Sequence, residues 1–194
     1  MHARKIALLS TLLLTAAVAA ACAKKKHHDP INFSQPVGIT LNTKSGDVSG
    51  GRIVEIKNIN TESGNPFGAF INDARAAIGN HDPGSIDLTA LSLTLESNGT
   101  GATTLQQIFK GDVVIAFQMN TGTGLYPAGT ANNPTGTNQS FVESFTTDNM
   151  TATDYQGFLG GQFKVVLSGS AATGFATAGA NVNLLSTFDF EAFQ

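Results

Sequence analysis

The sequence predicts a mainly β domain: a β-sandwich of about eight strands with one covering helix, the alternative being an eight-stranded β-barrel. Three observations carry this. Short runs of alternating apolar and polar residues recur with turn signals between them. From Pro30 onward Gly, Ser, Thr and Asn make up 68 of 165 residues, a mixture that suits turns and exposed strand faces. Strong three-four apolar spacing occurs in one clear place.

Taken in order, Gln35 to Thr43 places Val37, Ile39 and Leu41 on one face and Thr40 and Asn42 on the other. That is a half-buried strand. Lys44 to Gly51 reads as a turn, and Arg52 to Ile59 as the next strand, so the two are expected to form a hairpin. Asn65 to Ile78 is the helix. Asn65 can cap it, Pro66 suits its first turn, and Gly79 stops it. Phe67, Phe70, Ile71, Ala74, Ala77 and Ile78 form its apolar stripe.

His81-Asp82-Pro83-Gly84 is a turn. In Ile86 to Glu96, Leu91, Leu93 and Leu95 face inward. Thr103 to Lys110 reads as a short helix. Val113 to Met119 is apolar on both faces, which predicts a central strand covered on both sides. Asn120 to Ser140 and Thr146 to Tyr155 read as polar loops, the first with room for a short strand at Leu125 to Ala128. Loops of the length of Asn120 to Ser140 are uncommon in compact domains unless functional or mobile. Phe141 to Phe145, Gln162 to Ser168 and Ala180 to Phe193 complete the strands, and no repeat of fixed period is present.

Thirteen phenylalanines, all from Phe33 onward, supply the core. The part from Pro30 carries thirteen acidic and six basic residues, near −7, which excludes the basic footprint of a nucleic-acid binder. One cysteine excludes an intramolecular disulfide.

Chemistry is sparse. His81 is the domain's one histidine and no Gly-Xaa-Ser-Xaa-Gly elbow exists, so a serine triad is not expected. Glu55, Asp189 and Glu191 read as outward strand positions, not as buried acids. Asp82 and Asp87 fit no defined calcium loop. Gly160-Gly161 precedes a strand, where no helix dipole can hold a phosphate. The expectation is a non-enzymatic domain with no cofactor and no metal. Sugar-binding modules expose aromatic platforms. Trp is absent, so Tyr126 and Tyr155, both in the expected loops, are the candidate partner-binding residues.

Residues 1 to 21 have the parts of an export signal: Arg4 and Lys5, then an uncharged run from Ile6 to Ala21. Sixteen residues at ~1.5 Å each reach roughly 24 Å as a helix, short of a ~30 Å bilayer core. Val18-Ala19-Ala20-Ala21-Cys22 resembles the lipobox of bacterial lipoproteins, with Ala19 where Leu is commonest. The resemblance implies that residues 1–21 are cleaved and that Cys22 is acylated. Residues 22–30 then form a tether carrying Lys24, Lys25 and Lys26, and 31–194 a single domain. Ala23, in place of a retaining aspartate, implies an outer-membrane address. The resulting expectation is a lipid-anchored envelope protein facing the periplasm or the cell surface. Its expected partners are the membrane, through Cys22, and an envelope protein or glycan. A carrier of an apolar ligand is the alternative. Bacterial lipocalins have a similar size, but their Gly-Xaa-Trp signature is absent here.

Overall fold

The computed structural model describes residues 31–61, 64–121 and 124–194; Cys22 and the expected leader and tether lie outside them. Among the described residues nine strands form two antiparallel sheets that face each other as a β-sandwich, with no closed barrel. The strands are β1 (Asn32–Lys44), β2 (Arg52–Asn58), β3 (Ser85–Leu95), β4 (Phe109–Met119), β5 (Leu125–Ala131), β6 (Asn138–Ser140), β7 (Val142–Glu143), β8 (Phe163–Ala171) and β9 (Asn181–Phe193). One sheet has the order β1-β9-β3-β6, the other β2-β8-β4-β5-β7. Two helices, α1 (Pro66–Ala77) and α2 (Ala152–Leu159), complete the fold.

The expected hairpin does not form. β1 pairs with β9 from Asn32↔Phe193 to Lys44↔Asn181, and β2 pairs with β8 in the other sheet. Gly50 and Gly51, at φ 57° and 74°, turn the chain from one sheet to the other. The swap lets each strand bury one row. Val37, Ile39 and Leu41 point inward from β1, while Ile53 alone is the buried apolar residue of β2. The first and last strands pair along their whole length, so the four-stranded sheet closes only when the C-terminal segment is present.

α1 begins as its sequence predicts. Asn65 accepts a hydrogen bond from Phe67 N at 2.9 Å, and Pro66 occupies the first turn. Its buried face is Phe67, Phe70, Ile71 and Ala74; Ala77 is exposed. The segment expected as a helix over 103–110 is one 3-10 turn, Leu105–Gln107, closed by a Thr104–Gln107 capping box, and Phe109 already belongs to β4.

The two expected polar loops are largely regular structure. Residues 120–140 contain β5 and β6, and residues 146–155 contain a 3-10 turn and the start of α2. β5 contains the short strand expected at Leu125 to Ala128; β6 is not legible in the sequence because the ladder, not side-chain propensity, holds it.

The core lies between the sheets and is built on phenylalanine. Phe117 of β4 packs its ring at 5.4 Å from Phe188 of β9, centroid to centroid, joining the two sheets. Phe67 of α1 meets Phe163 at 4.9 Å edge to face, and Phe158 of α2 stacks on Phe163 at 4.7 Å. Each fully buried Phe contributes roughly 1.5–3 kcal/mol by burial, with up to about 1 more from ring geometry. A guest in this interior would have to displace ring-to-ring contacts.

The outer faces of the sheets differ. On the four-stranded sheet the outward rows include Ser34–Glu191–Asp87, Gly38–Thr187–Ser92 and Asn42–Asn183. Asn42 donates to Asn181 and Asn183 at 2.8 and 2.9 Å, and Asn183 to Asn98 at 2.9 Å, an asparagine ladder. On the five-stranded sheet one outward row is Ile56–Val166–Ala116–Pro127 and the next is Val54–Ser168–Val114–Thr130–Val142. β4 is central, as predicted, but its outer face is not covered as expected: Val114 stays partly exposed within this face.

Candidate functional site

Tyr126 lies in β5 and Tyr155 in α2, not in loops. Tyr126 follows the inward side of its strand, opposite Phe117. Its hydroxyl donates to Asp154 Oδ2 at 2.7 Å, and Thr121 Oγ1 donates to Asp154 Oδ1 at 3.2 Å. Asp154 is only 8 % exposed.

The local sequence explains the position of this acid. Thr151 caps α2, accepting from Asp154 N at 3.1 Å, and that fixes the acid in the first turn, where the helix dipole favours negative charge. Gly124 leaves the room. A Cβ there would stand 2.8 Å from both Asp154 Oδ2 and the Tyr126 ring. Donation to Asp154 raises the pKa of Tyr126 above its ordinary value, with burial a smaller cause. The phenol therefore stays protonated at neutral pH and acts as a fixed donor.

Tyr155 donates its hydroxyl to the carbonyl of Pro83, tying α2 to the turn before β3. Burial, then the nearby charges of Asp82 and Asp148, pushes its pKa upward. The two tyrosine hydroxyls thus tie the first turns of α2 to β5 and to the turn before β3, and each is committed to the fold. What they leave for a partner is ring surface, since both remain partly exposed.

Glu55 corrects the sequence reading. It shares the inward side of β2 with buried Ile53, whereas Val54 and Ile56 point out and are 49 % and 54 % exposed. Burial, reinforced by Asp47 and opposed by Lys44, raises its pKa from 4.5 to about 7. One carboxyl oxygen, Oε1, is buried with no hydrogen-bond partner. Ile53-Val54-Glu55-Ile56 has apolar residues at both parities, so alternation could not say which side faced in. Asp189 and Glu191 are on the outer face of β9, as their pattern predicts.

The remaining candidates are held locally. Arg75 Nε donates to Asp82 Oδ1 at 2.7 Å, an exposed ion pair, and His81 Nδ1 sits 3.0 Å from the Asp82 carbonyl oxygen. Among the described residues no three His, Cys, Asp or Glu side chains gather as metal ligands. Surface clefts open among the described residues include two. One of about 510 Å³ lies between Gln106, Lys110 and Phe175, and one of about 280 Å³ between Ser92, Glu143 and Asp189. Neither is lined by Glu55, Tyr126 or Tyr155.

Compared with known proteins, the chain matches no family model and no curated protein.

Proposed function

We propose that this protein is a cell-envelope module, anchored in the outer membrane by acyl chains on Cys22, that binds another envelope component without catalysing a reaction. The leader supports the anchor: Arg4 and Lys5, the uncharged run Ile6 to Ala21, and small residues up to the one cysteine. Two or three acyl chains at ~0.8 kcal/mol per buried CH₂ hold a domain of this size firmly.

The partner surface in this reading is the exposed turn at residues 132–137, between β5 and β6; the rings of Tyr126 and Tyr155, towards the other end of β5, offer a second contact. A rigid frame supports it: Asn133 Oδ1 accepts from Gly111 N at 3.1 Å while Asn133 N donates to Gly111 O at 3.1 Å. Such preorganisation lowers the entropic cost of binding.

The deciding experiment for the anchor is intact-mass analysis of the mature chain from its own host. A chain starting at Cys22 with two or three acyl chains is expected; any other first residue sinks the proposal. For the surface, Asn132→Arg with Thr135→Arg should abolish cross-linking to an envelope partner while leaving the fold intact. Unchanged cross-links would place the partner elsewhere.

A further inference from the structure

We propose that the outer face of the five-stranded sheet lies on an anionic lipid surface, an inference that rests on the lipid anchor at Cys22. The observation is a segregation of charge and apolar surface between the two faces of one sandwich. From Pro30 onward the chain has six cations: Lys44, Arg52, Lys57, Arg75, Lys110 and Lys164. The strand registers put Arg52, Lys110 and Lys164 at outward positions of β2, β4 and β8; Lys57 on edge strand β2 and Glu143 on edge strand β7 are exposed but take the other parity. No acid occupies an outward registered position on that face; Asp112 stands in the bulge where β4 breaks register between Lys110 and Val113. The opposite face holds Asp87, Asp189 and Glu191.

The arrangement within the face is also ordered. One apolar row, Ile56–Val166–Ala116–Pro127, and one mixed row, Val54–Ser168–Val114–Thr130–Val142, run across the middle. Beyond them come Asn58–Lys164–Gln118–Leu125 at one end and Arg52–Ser170–Lys110 at the other. Val54, Ile56, Leu125 and Val142 are 49 %, 54 %, 59 % and 75 % exposed. An apolar band flanked by long cationic side chains suits the headgroup boundary, where aliphatic groups enter the lipid and Lys or Arg reach phosphate.

Charge, together with the anchor, selects an anionic lipid over other occupants. The described chain begins at Ile31, just before β1, the edge strand of the four-stranded sheet. Eight residues, Ala23 to Pro30, separate Ile31 from Cys22, a span of at most ~32 Å. An acylated Cys22 therefore holds the β1 edge of the domain within one tether length of the bilayer, and the charge pattern selects which face turns towards it. Lys24, Lys25 and Lys26 add cations of the same sign at the anchor. On a domain near −7 overall, the cationic face is the one that an anionic surface attracts.

The chain contains no tryptophan, so single Trp reporters are unambiguous. The acylated chain with Ile56→Trp, Val142→Trp or Leu185→Trp would be reconstituted in vesicles of brominated phosphatidylcholine, with and without half phosphatidylglycerol. Expected is strong quenching at 56 and 142 with phosphatidylglycerol and none at 185, on the opposite face. Arg52→Gln, Lys110→Gln and Lys164→Gln together should weaken that engagement roughly a hundredfold. Equal quenching at 56 and 185, or none at 56, overturns the proposal. So does a concentration-dependent blue shift at 56 without quenching, which marks a second copy on the face. Intact mass on the same sample separates this from the anchor: a chain without acyl groups refutes the anchor, and its reporters, read after addition to the same vesicles at low salt, still decide the face.

Discussion

Tyr126 and Asp154, twenty-eight residues apart, meet at 2.7 Å and tie strand β5 to helix α2. The contact joins the two stretches that read as loops in the sequence. It fixes the N-terminal turn of α2, a helix of eight residues whose C-terminal turn is held by buried Phe158 and Leu159. A short helix is marginal on its own, so its position depends on Phe158 in the core and on the two tyrosine clamps.

Tyr126→Phe is therefore expected to cost about 1.5–3 kcal/mol, because it leaves a buried carboxylate short of a donor. Asp154→Asn should cost less than that. The double variant should fall short of the sum, since the residues share one contact. Urea unfolding of the three variants checks this; additive effects would show that the hydrogen bond contributes nothing of its own.

Glu55 sets a pH dependence. Between its ordinary value of 4.5 and about 7, the folded chain holds a proton that the unfolded chain releases. Stability therefore falls as pH rises through that window. Because the carboxyl is partly solvated, the expected loss is roughly 1–3 kcal/mol. Glu55→Gln should flatten this fall and raise the unfolding midpoint at pH 8 relative to the parent. An unchanged slope between pH 5 and 8 would assign the dependence to other groups.

Phe117 touches both sheets and α2: its ring lies 4.7 Å from Phe145, 5.6 Å from Phe158 and 5.4 Å from Phe188. Phe117→Ala should cost about 3–5 kcal/mol, near the upper end because surrounding rings cannot collapse into the space. Thermal unfolding reads it directly. A loss under 1 kcal/mol would mean that the aromatic cluster repacks freely.

Gly161 ends α2 at φ 65°, and a Cβ there would stand 2.7 Å from the carbonyl carbon of Asn60. Gly161→Ala should cost about 2–4 kcal/mol, from left-handed strain plus displacement of backbone. Gly136→Ala is the control. Its φ is 67° but nothing lies within 4 Å of its Cβ, so strain alone remains, at about 1 kcal/mol. Equal losses in the two variants would show that the close approach is not costly.

Deleting residues 121–138 is expected to unfold the domain, because that segment carries β5, which is paired with β4 and β7. Circular dichroism of the deletion variant checks this. A folded product would mean that the five-stranded sheet tolerates loss of an inner strand.

Local pattern was enough for the elements with unambiguous periodicity. The α1 stripe with its Asn65 cap, the alternating rows of β1, β3, β8 and β9, and the mainly β sandwich class were all legible, because period and capping chemistry are written in neighbouring residues. Strand pairing was not. β1 joins β9 across the whole domain, and β2 goes to the other sheet, because partners are chosen by burial of whole faces. The same reason hid the clamp of α2 by Tyr126 and Tyr155, the inward turn of Glu55, and the outer apolar band. Each depends on which side of a strand meets the core, and in Ile53-Val54-Glu55-Ile56 both sides carry apolar residues. Sequence alone determined that this chain folds as an acidic, phenylalanine-cored set of strands. Only the packing of two sheets decided which residues are consumed by the core and which are left facing out.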